Sequence, residues 1–325
     1  MKAAWYTNTG PAQEVLRVGE QPTPQAGSGE VRVRLHASGV NPSDCNRRAG
    51  RWPMQFPLVI PDSDGSGIVD QVGRGADPSL LGQRVWLYNG QRGGRAFGTA
   101  AEWIALDAGL VAPLPDGYSF EQGACLGVPG MTAWHCVFMD GPVEGRTVLV
   151  QGGAGAVGHF AVQLAAWAGA RVIATVSGER KAAHARAAGA AEVIDRSRED
   201  VAQRVLDLTG GAGVERIVEV DLGGNLQADL RVIKANGRIA AYASRGDPPL
   251  PWFDLMSRNV SIHAVLLNSL PLEARRAAQD GMVRWLRTAR ALVAVSETLP
   301  LERIADAHQA VEAGTKLGTV VVRCA

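Results

Sequence analysis

Cysteine is scarce and scattered in this sequence. Cys45, Cys125, Cys136 and Cys324 form no Cys-x-x-Cys pair, which argues against a disulfide framework and against a cysteine-rich zinc site. Lysine is equally sparse: Lys2, Lys181, Lys234 and Lys316 stand alone, so nearly all of the 33 basic side chains are arginine, a bias without functional weight. With 32 acidic residues opposing them the formal net charge is +1, and bulk electrostatics draws the chain toward neither nucleic acid nor an anionic membrane. No apolar run reaches the roughly 18 to 20 residues that cross a bilayer. The opening segment from Met1 to Gly10 has no apolar centre of signal-peptide length, so a cytoplasmic location is expected. His36, His135, His159, His184, His263 and His308 share no metal-ligand spacing and read as packing residues.

What is present divides into two patterns. A chain of 325 residues exceeds a single hydrophobic core and predicts two domains. Before about residue 120, short β-type runs broken by Gly and Pro (31–35, 67–72, 84–88 and 101–106) predict a β-rich domain. After Ser119, apolar strand runs at 147–150, 171–176, 216–220, 237–242 and 261–267 alternate with helical stretches such as 159–168 and 181–188. That alternation predicts βαβ units and a parallel sheet. An amphipathic helix over 272–288, another beginning near Leu301 and a strand over 319–323 complete the chain, and the last strand fits a return to the first domain.

The motif Gly153-x-Gly155-x-x-Gly158 is a weak signal alone. Here it follows one strand, opens a helix and precedes a second strand, the setting in which such glycines seat a dinucleotide pyrophosphate. Glycine lets the backbone turn sharply and approach the anion, and the helix start offers N–H groups. Where an acidic residue would bind the ribose 2′-OH of NAD, the chain has Ser177. Ser177 can donate to a 2′-phosphate, and Lys181, with Arg180 as substitute, can supply charge; Arg196 could close the same pocket. Glu179, two residues beyond the strand, argues the other way. NADPH is the expected cofactor.

At this point the chain resembles the medium-chain dehydrogenase/reductase superfamily, and within it the zinc-free, zeta-crystallin-like NADPH:quinone oxidoreductases. The segments carrying the resemblance are Gly39-Val-Asn-Pro-Ser-Asp44, Pro61-Asp-Ser-Asp-Gly-Ser-Gly67, Gly127-Val-Pro-Gly-Met-Thr-Ala-Trp134, the glycine turn, and Ala243-Ser-Arg-Gly246. The resemblance implies an α/β protein, with a doubly wound Rossmann sheet at 122–267 and a β-rich GroES-like domain from 1–121 and 268–325. It implies cofactor contacts from Asn41, Thr132, Ala156, Val157, Ser244, Arg245 and Leu266 beside the loop glycines. Relatives that oxidise alcohols hold a catalytic zinc through Cys and His; here Asn41 and Ser63 occupy two of those places, Gly127-Val-Pro129 lies near the third, and the loop 89–97 has no cysteine. Cys125 alone cannot build a site that needs three protein ligands.

Without a Lewis acid, the chemistry left is hydride delivery to a carbonyl compound already made electron-poor by conjugation. Quinones are the leading substrates and α,β-unsaturated aldehydes or ketones the alternative. A weakly catalytic NADPH-binding regulatory protein is the reading from a different class. Asn41 is the expected orienting amide, Thr132 the hydrogen-bonding partner near the nicotinamide ribose, and Trp52 an aromatic wall for a flat ring. Asn46 stands where quinone reductases often carry Tyr, and Gly130 replaces a bulky residue, which implies a roomier pocket. By the same resemblance, 261–267 would pair with its copy across a two-fold axis in a homodimer.

Overall fold

Val31, Val33 and Leu35 alternate with Arg32 and Arg34, so a strand here has one apolar and one charged face. In the computed structural model, which describes residues 1–324, this strand is Glu30–Val40. Its three apolar residues are fully buried, each burial contributing about 1.5–3 kcal/mol, and Arg32 turns outward to pair with Asp70. It is the centre of a seven-stranded sheet. Asp64–Val72 and Thr319–Arg323 flank it antiparallel, and Trp103–Asp107 also pairs with it. Arg84–Leu87 and Val111–Pro113 extend one side, and Val295–Pro300 extends the other beyond Thr319–Arg323. One apolar cluster joins Val31, Leu35, Val69, Val85 and Ile104; another joins Tyr6, Val40, Ile60, Ile304 and Val320.

The second sheet is wholly parallel: Thr147–Val150, Arg171–Val176, Glu192–Asp195, Val214–Glu219, Ile233–Ala241 and Ser261–Ala264. Numbered along the chain, these strands lie in the order 3-2-1-4-5-6. Helices Ala156–Trp167, Glu179–Ala187, Val201–Leu208 and Leu222–Val232 supply the crossovers among the first five strands. This is the doubly wound arrangement, and its switch point falls between the first and fourth strands, where a ligand crevice opens at the strands' carboxyl ends. The apolar interior gathers Leu149, Ile173, Ile194, Ile217, Leu230 and Ile239.

The chain divides into two compact units, residues 1–128 with 283–325 and residues 129–282. These divisions lie within Val128–Phe138 and Leu272–Thr288, several residues beyond the expected 121/122 and 267/268, because an unbroken helix gives no compositional sign of a boundary. Other differences are local. The last parallel strand stops at Ala264, short of the expected Leu267, as the chain turns into the short helical segment Leu267–Ser269. The helix expected from His159 begins at Ala156, since Gly158 is accommodated in its first turn. The fifth strand begins at Ile233, not Gly237; left-handed Asn236, with φ 61°, interrupts the pattern that marks it.

Candidate functional site

The glycine turn leaves the first parallel strand at the switch point. Gly152 takes φ +72°, a left-handed conformation that favours glycine, and its carbonyl accepts from the Gly155 N–H at 3.0 Å. A Cβ at Gly153 would come within 2.8 Å of the Ala174 Cβ, and one at Gly158 would run into the Gly152 carbonyl, so both glycines let helix and strand close together. Gly155 is different. Its φ is −75°, and a Cβ there would meet only the Gly152 oxygen, at an ordinary 3.4 Å. Nothing in the protein demands glycine at this exposed position, and the bare backbone leaves room for a ligand. The next three N–H groups, of Ala156, Val157 and Gly158, have no intrahelical acceptor, and Gly155 has no side chain to cap them. Anion seating follows from that geometry.

At the end of the second strand, Lys181 Nζ donates to Ser177 Oγ at 3.2 Å, bringing the two expected 2′-phosphate ligands together. The Arg196 backbone N–H bonds the Val176 carbonyl at 3.0 Å, which sets Arg196, just past the end of the adjoining strand, near Ser177; its side chain is exposed. Glu179 is solvent-exposed and pairs with Arg186 at 2.9 Å. Asp195, absent from the sequence expectation, accepts from the Gly178 N–H at 3.2 Å and from Ser197, and these bonds hold its carboxyl below the usual range.

On the far side of the switch point, Ser244 Oγ accepts from the Gly223 N–H at 2.9 Å and donates to the Gly246 carbonyl. Arg245 is claimed by Asp221: its Nε donates at 2.6 Å and its backbone N–H at 2.9 Å. Its charge is therefore offset. Leu266 is exposed and Thr132 buried, inside Val128–Phe138. The roomier pocket expected at Gly130 is corrected by Met282, whose methyl group would lie 2.7 Å from a Cβ at that position: the vacated volume is filled.

In the other unit, Asn41 starts the helix Pro42–Arg48 and is nearly fully buried. Its backbone N–H donates to Asp44 at 3.0 Å, and its side-chain amide donates to Asp64 Oδ2 at 2.7 Å. Asp64 also accepts the Val128 N–H, at 2.8 and 2.9 Å to its two oxygens, and a Cβ at Gly127 would collide with it. Complete burial pushes the Asp64 carboxyl up to about 8 despite these donors. A mainly neutral acid thus holds one Asn41 N–H, the Asp44 backbone N–H closes a capping box on the Asn41 side chain, and the second amide N–H is left for other partners.

Asp44 Oδ1 accepts from Ser63 at 2.9 Å and from Arg92 at 2.8 Å, in a buried ion pair. Asp62, at φ 71°, faces His308 Nε2 at 3.2 Å. Ser63 and Asn41, at two zinc-ligand places of alcohol-oxidising relatives, are both committed to carboxylates, and the Cys125 thiol is pushed up to about 12 by burial. Among the described residues, no group of three or more His, Cys, Asp and Glu side chains is placed to hold a metal. Trp52 is about half exposed, with the guanidinium carbons of Arg47 and Arg51 at 5.8 and 5.5 Å from its ring centroid. It is an arginine-flanked ring, not a bare wall, and a flat ligand stacking on an occupied face would displace a guanidinium. Sequence reasoning missed Asp64, Asp44, Arg92 and Asp62. The available signal was the acidic pair flanking Ser63 just before an apolar strand, where buried charge is costly.

Residues 27–116 match the alcohol dehydrogenase GroES-like domain family, and residues 156–286 match the zinc-binding dehydrogenase family. Quinone oxidoreductase of Rattus norvegicus is 30% identical over 310 residues, covering 93% of this chain and 90% of that protein. The chain belongs to the medium-chain dehydrogenase/reductase superfamily. Quinone oxidoreductase of Homo sapiens is 31% identical over 288 residues, 86% of this chain and 84% of that one. An alcohol dehydrogenase of Geobacillus stearothermophilus is 28% identical over 95% of this chain and 96% of its own. Among solved structures, a mycobacterial protein complexed with NADPH is 31% identical with a TM-score of 0.86, covering 99% of this chain and 100% of that one. The two sheets are therefore a GroES-like and a Rossmann-like fold, the side chains at the zinc positions fit the zinc-free branch of the superfamily, and the protein is an oxidoreductase.

Proposed function

We propose that the protein reduces quinones with NADPH and without a metal ion. The Ser177–Lys181 contact, with Arg196 just past the adjoining strand, at the place of a ribose-binding carboxylate, carries the cofactor half of this reading. Similarity to NADPH-complexed and quinone-reducing proteins along most of the chain supports the rest. When bound, NADPH supplies the hydride. The N–H groups of residues 156–158 seat its pyrophosphate, Ser177, Lys181 and Arg196 receive its 2′-phosphate, and Thr132 meets the nicotinamide ribose. Asn41 orients the substrate oxygen through the amide N–H that Asp64 leaves unused. A homodimer in the cytoplasm fits the same reading: Ser261–Ala264 is an edge strand, and Trp252, Phe253 and Leu266 are exposed in the same unit.

The test is oxidation of NADPH and NADH by the purified protein against a para-quinone and an α,β-unsaturated aldehyde. The expected result is faster quinone turnover with NADPH. Lys181→Ala should cut the preference for NADPH over NADH about tenfold, the worth of one charge-assisted contact. Faster aldehyde turnover would make the protein an alkene reductase. Tight NADPH binding with neither reaction would transfer it to the regulatory class, and a monomer mass by light scattering would remove the dimer.

A further inference from the structure

Behind the glycine turn lie two carboxyl groups that hydride transfer does not use. Glu219 ends the fourth parallel strand, Asp229 sits in Leu222–Val232, and both are fully buried. Glu219 Oε1 accepts from the Asp221 N–H and, at 2.9 Å, from Asn225 Nδ2. Asp229 Oδ1 accepts from Gln151 Nε2 at 2.9 Å. The remaining oxygens, Glu219 Oε2 and Asp229 Oδ2, are enclosed and have no other partner. The two carboxyls meet in the interior, where an oxygen of one can bond an oxygen of the other only through a proton. Burial raises both carboxyls above their ordinary range, which favours one proton held between them. The ionisable groups facing them are Asp221, paired with Arg245, and the buried phenol of Tyr242, with Cys136 beyond it.

From this proton an unbroken chain of bonds reaches the phosphate turn. The Gly152 N–H donates to Thr175 Oγ1 at 3.0 Å, and Thr175 Oγ1 donates to Gln151 Oε1 at 2.7 Å. Gln151 then donates to Asp229, and the shared proton joins Asp229 to Glu219. Every donor faces an acceptor, and the carboxyl link is satisfied with the proton on either partner. The second arm runs through Asp221 to Arg245, so one pair of carboxyls ties together both segments bordering the switch point.

We propose that the proton shared by Asp229 and Glu219 sets the phosphate-binding conformation of the glycine turn, which makes Asp229, Gln151 and Thr175 positioning residues for the dinucleotide. This rests on the cofactor half of the function proposed above.

The experiment is an amide cycle read by NADPH fluorescence titration and by the melting temperature of the cofactor-free protein. In Asp229→Asn an amide N–H replaces the acid O–H toward Glu219, and the amide oxygen still accepts from Gln151. In Glu219→Gln the new amide donates to Asp229. Each single variant keeps a donor facing an acceptor and should bind NADPH within about twofold of the parent, whereas the double variant sets two NH2 groups face to face and should bind about tenfold more weakly or worse. Melting temperatures should follow the same non-additive pattern. A double variant no worse than the sum of the singles overturns the shared proton. Thr175→Val removes the hydroxyl linking Gln151 to Gly152 and should weaken NADPH binding about tenfold; unchanged binding overturns the positioning role. A parent that binds no NADPH defeats the cofactor assignment instead, and the melting temperatures then judge the shared proton by themselves.

Discussion

The glycine turn of residues 151–158 and the carboxylate cluster of Asp44, Asp62 and Asp64 solve opposite problems with small polar residues. The turn exposes unpaired backbone N–H groups by omitting side chains, so its geometry is local and depends on spacing. The cluster buries three acids and satisfies them with groups drawn from Ser38, Asn41, Ser63, Arg92, Val128 and His308. A site made of backbone tolerates many changes in its surroundings and almost none in its glycines. A site made of buried charge depends on every distant partner.

That contrast can be broken most forcefully at Arg92. Arg92→Ala strands Asp44 in the interior with Ser63 and the Asn41 N–H as its remaining donors. The expected loss is about 3–5 kcal/mol, read by denaturant unfolding; a loss typical of an exposed pair would mean that the cluster does not depend on its distant partner. Next is Gly158→Ala, whose Cβ runs into the Gly152 carbonyl. It should cost about 1–3 kcal/mol and weaken dinucleotide binding more than tenfold, measured by melting and by fluorescence titration. Unimpaired binding would show that the turn is not held by close packing.

The smallest effect at neutral pH belongs to Asp64→Asn, and its signature is a slope. The folded Asp64 carboxyl titrates at about 8 against an ordinary 3.8, so between these values the folded protein holds a proton that the unfolded chain releases. Stability from this group therefore falls as pH rises from about 4 to about 8 and then levels off. The variant carries no such proton, and its melting temperature should decline less over that window. Parallel profiles for parent and variant would reject a protonated Asp64.

The same contrast explains what the sequence reveals. Strand periodicity exposed Glu30–Val40 and the parallel strands, and the glycine spacing located the turn, because each signal lies within about ten residues. The contact of Ser177 with Lys181 was legible for the same reason, the two being four residues apart across the start of a helix. Gly130 was misread because the methyl group filling its space comes from Met282, far along the chain. Asn41 was read without Asp64, a contact that depends on how the chain folds back on itself, whereas Arg47 and Arg51 lie beside Trp52 in the sequence and were overlooked.

The antiparallel pairing of Thr319–Arg323 with residues 37–40 of Glu30–Val40 has a consequence in time. As the chain leaves the ribosome, residues 129–282 emerge in one piece and can fold as they appear, whereas the central strand of the other sheet must wait until residues 319–323 have been made. While the intervening residues are made, one side of Glu30–Val40 near Val40 lacks its strand partner, an interval in which an unpaired edge is open to mispairing.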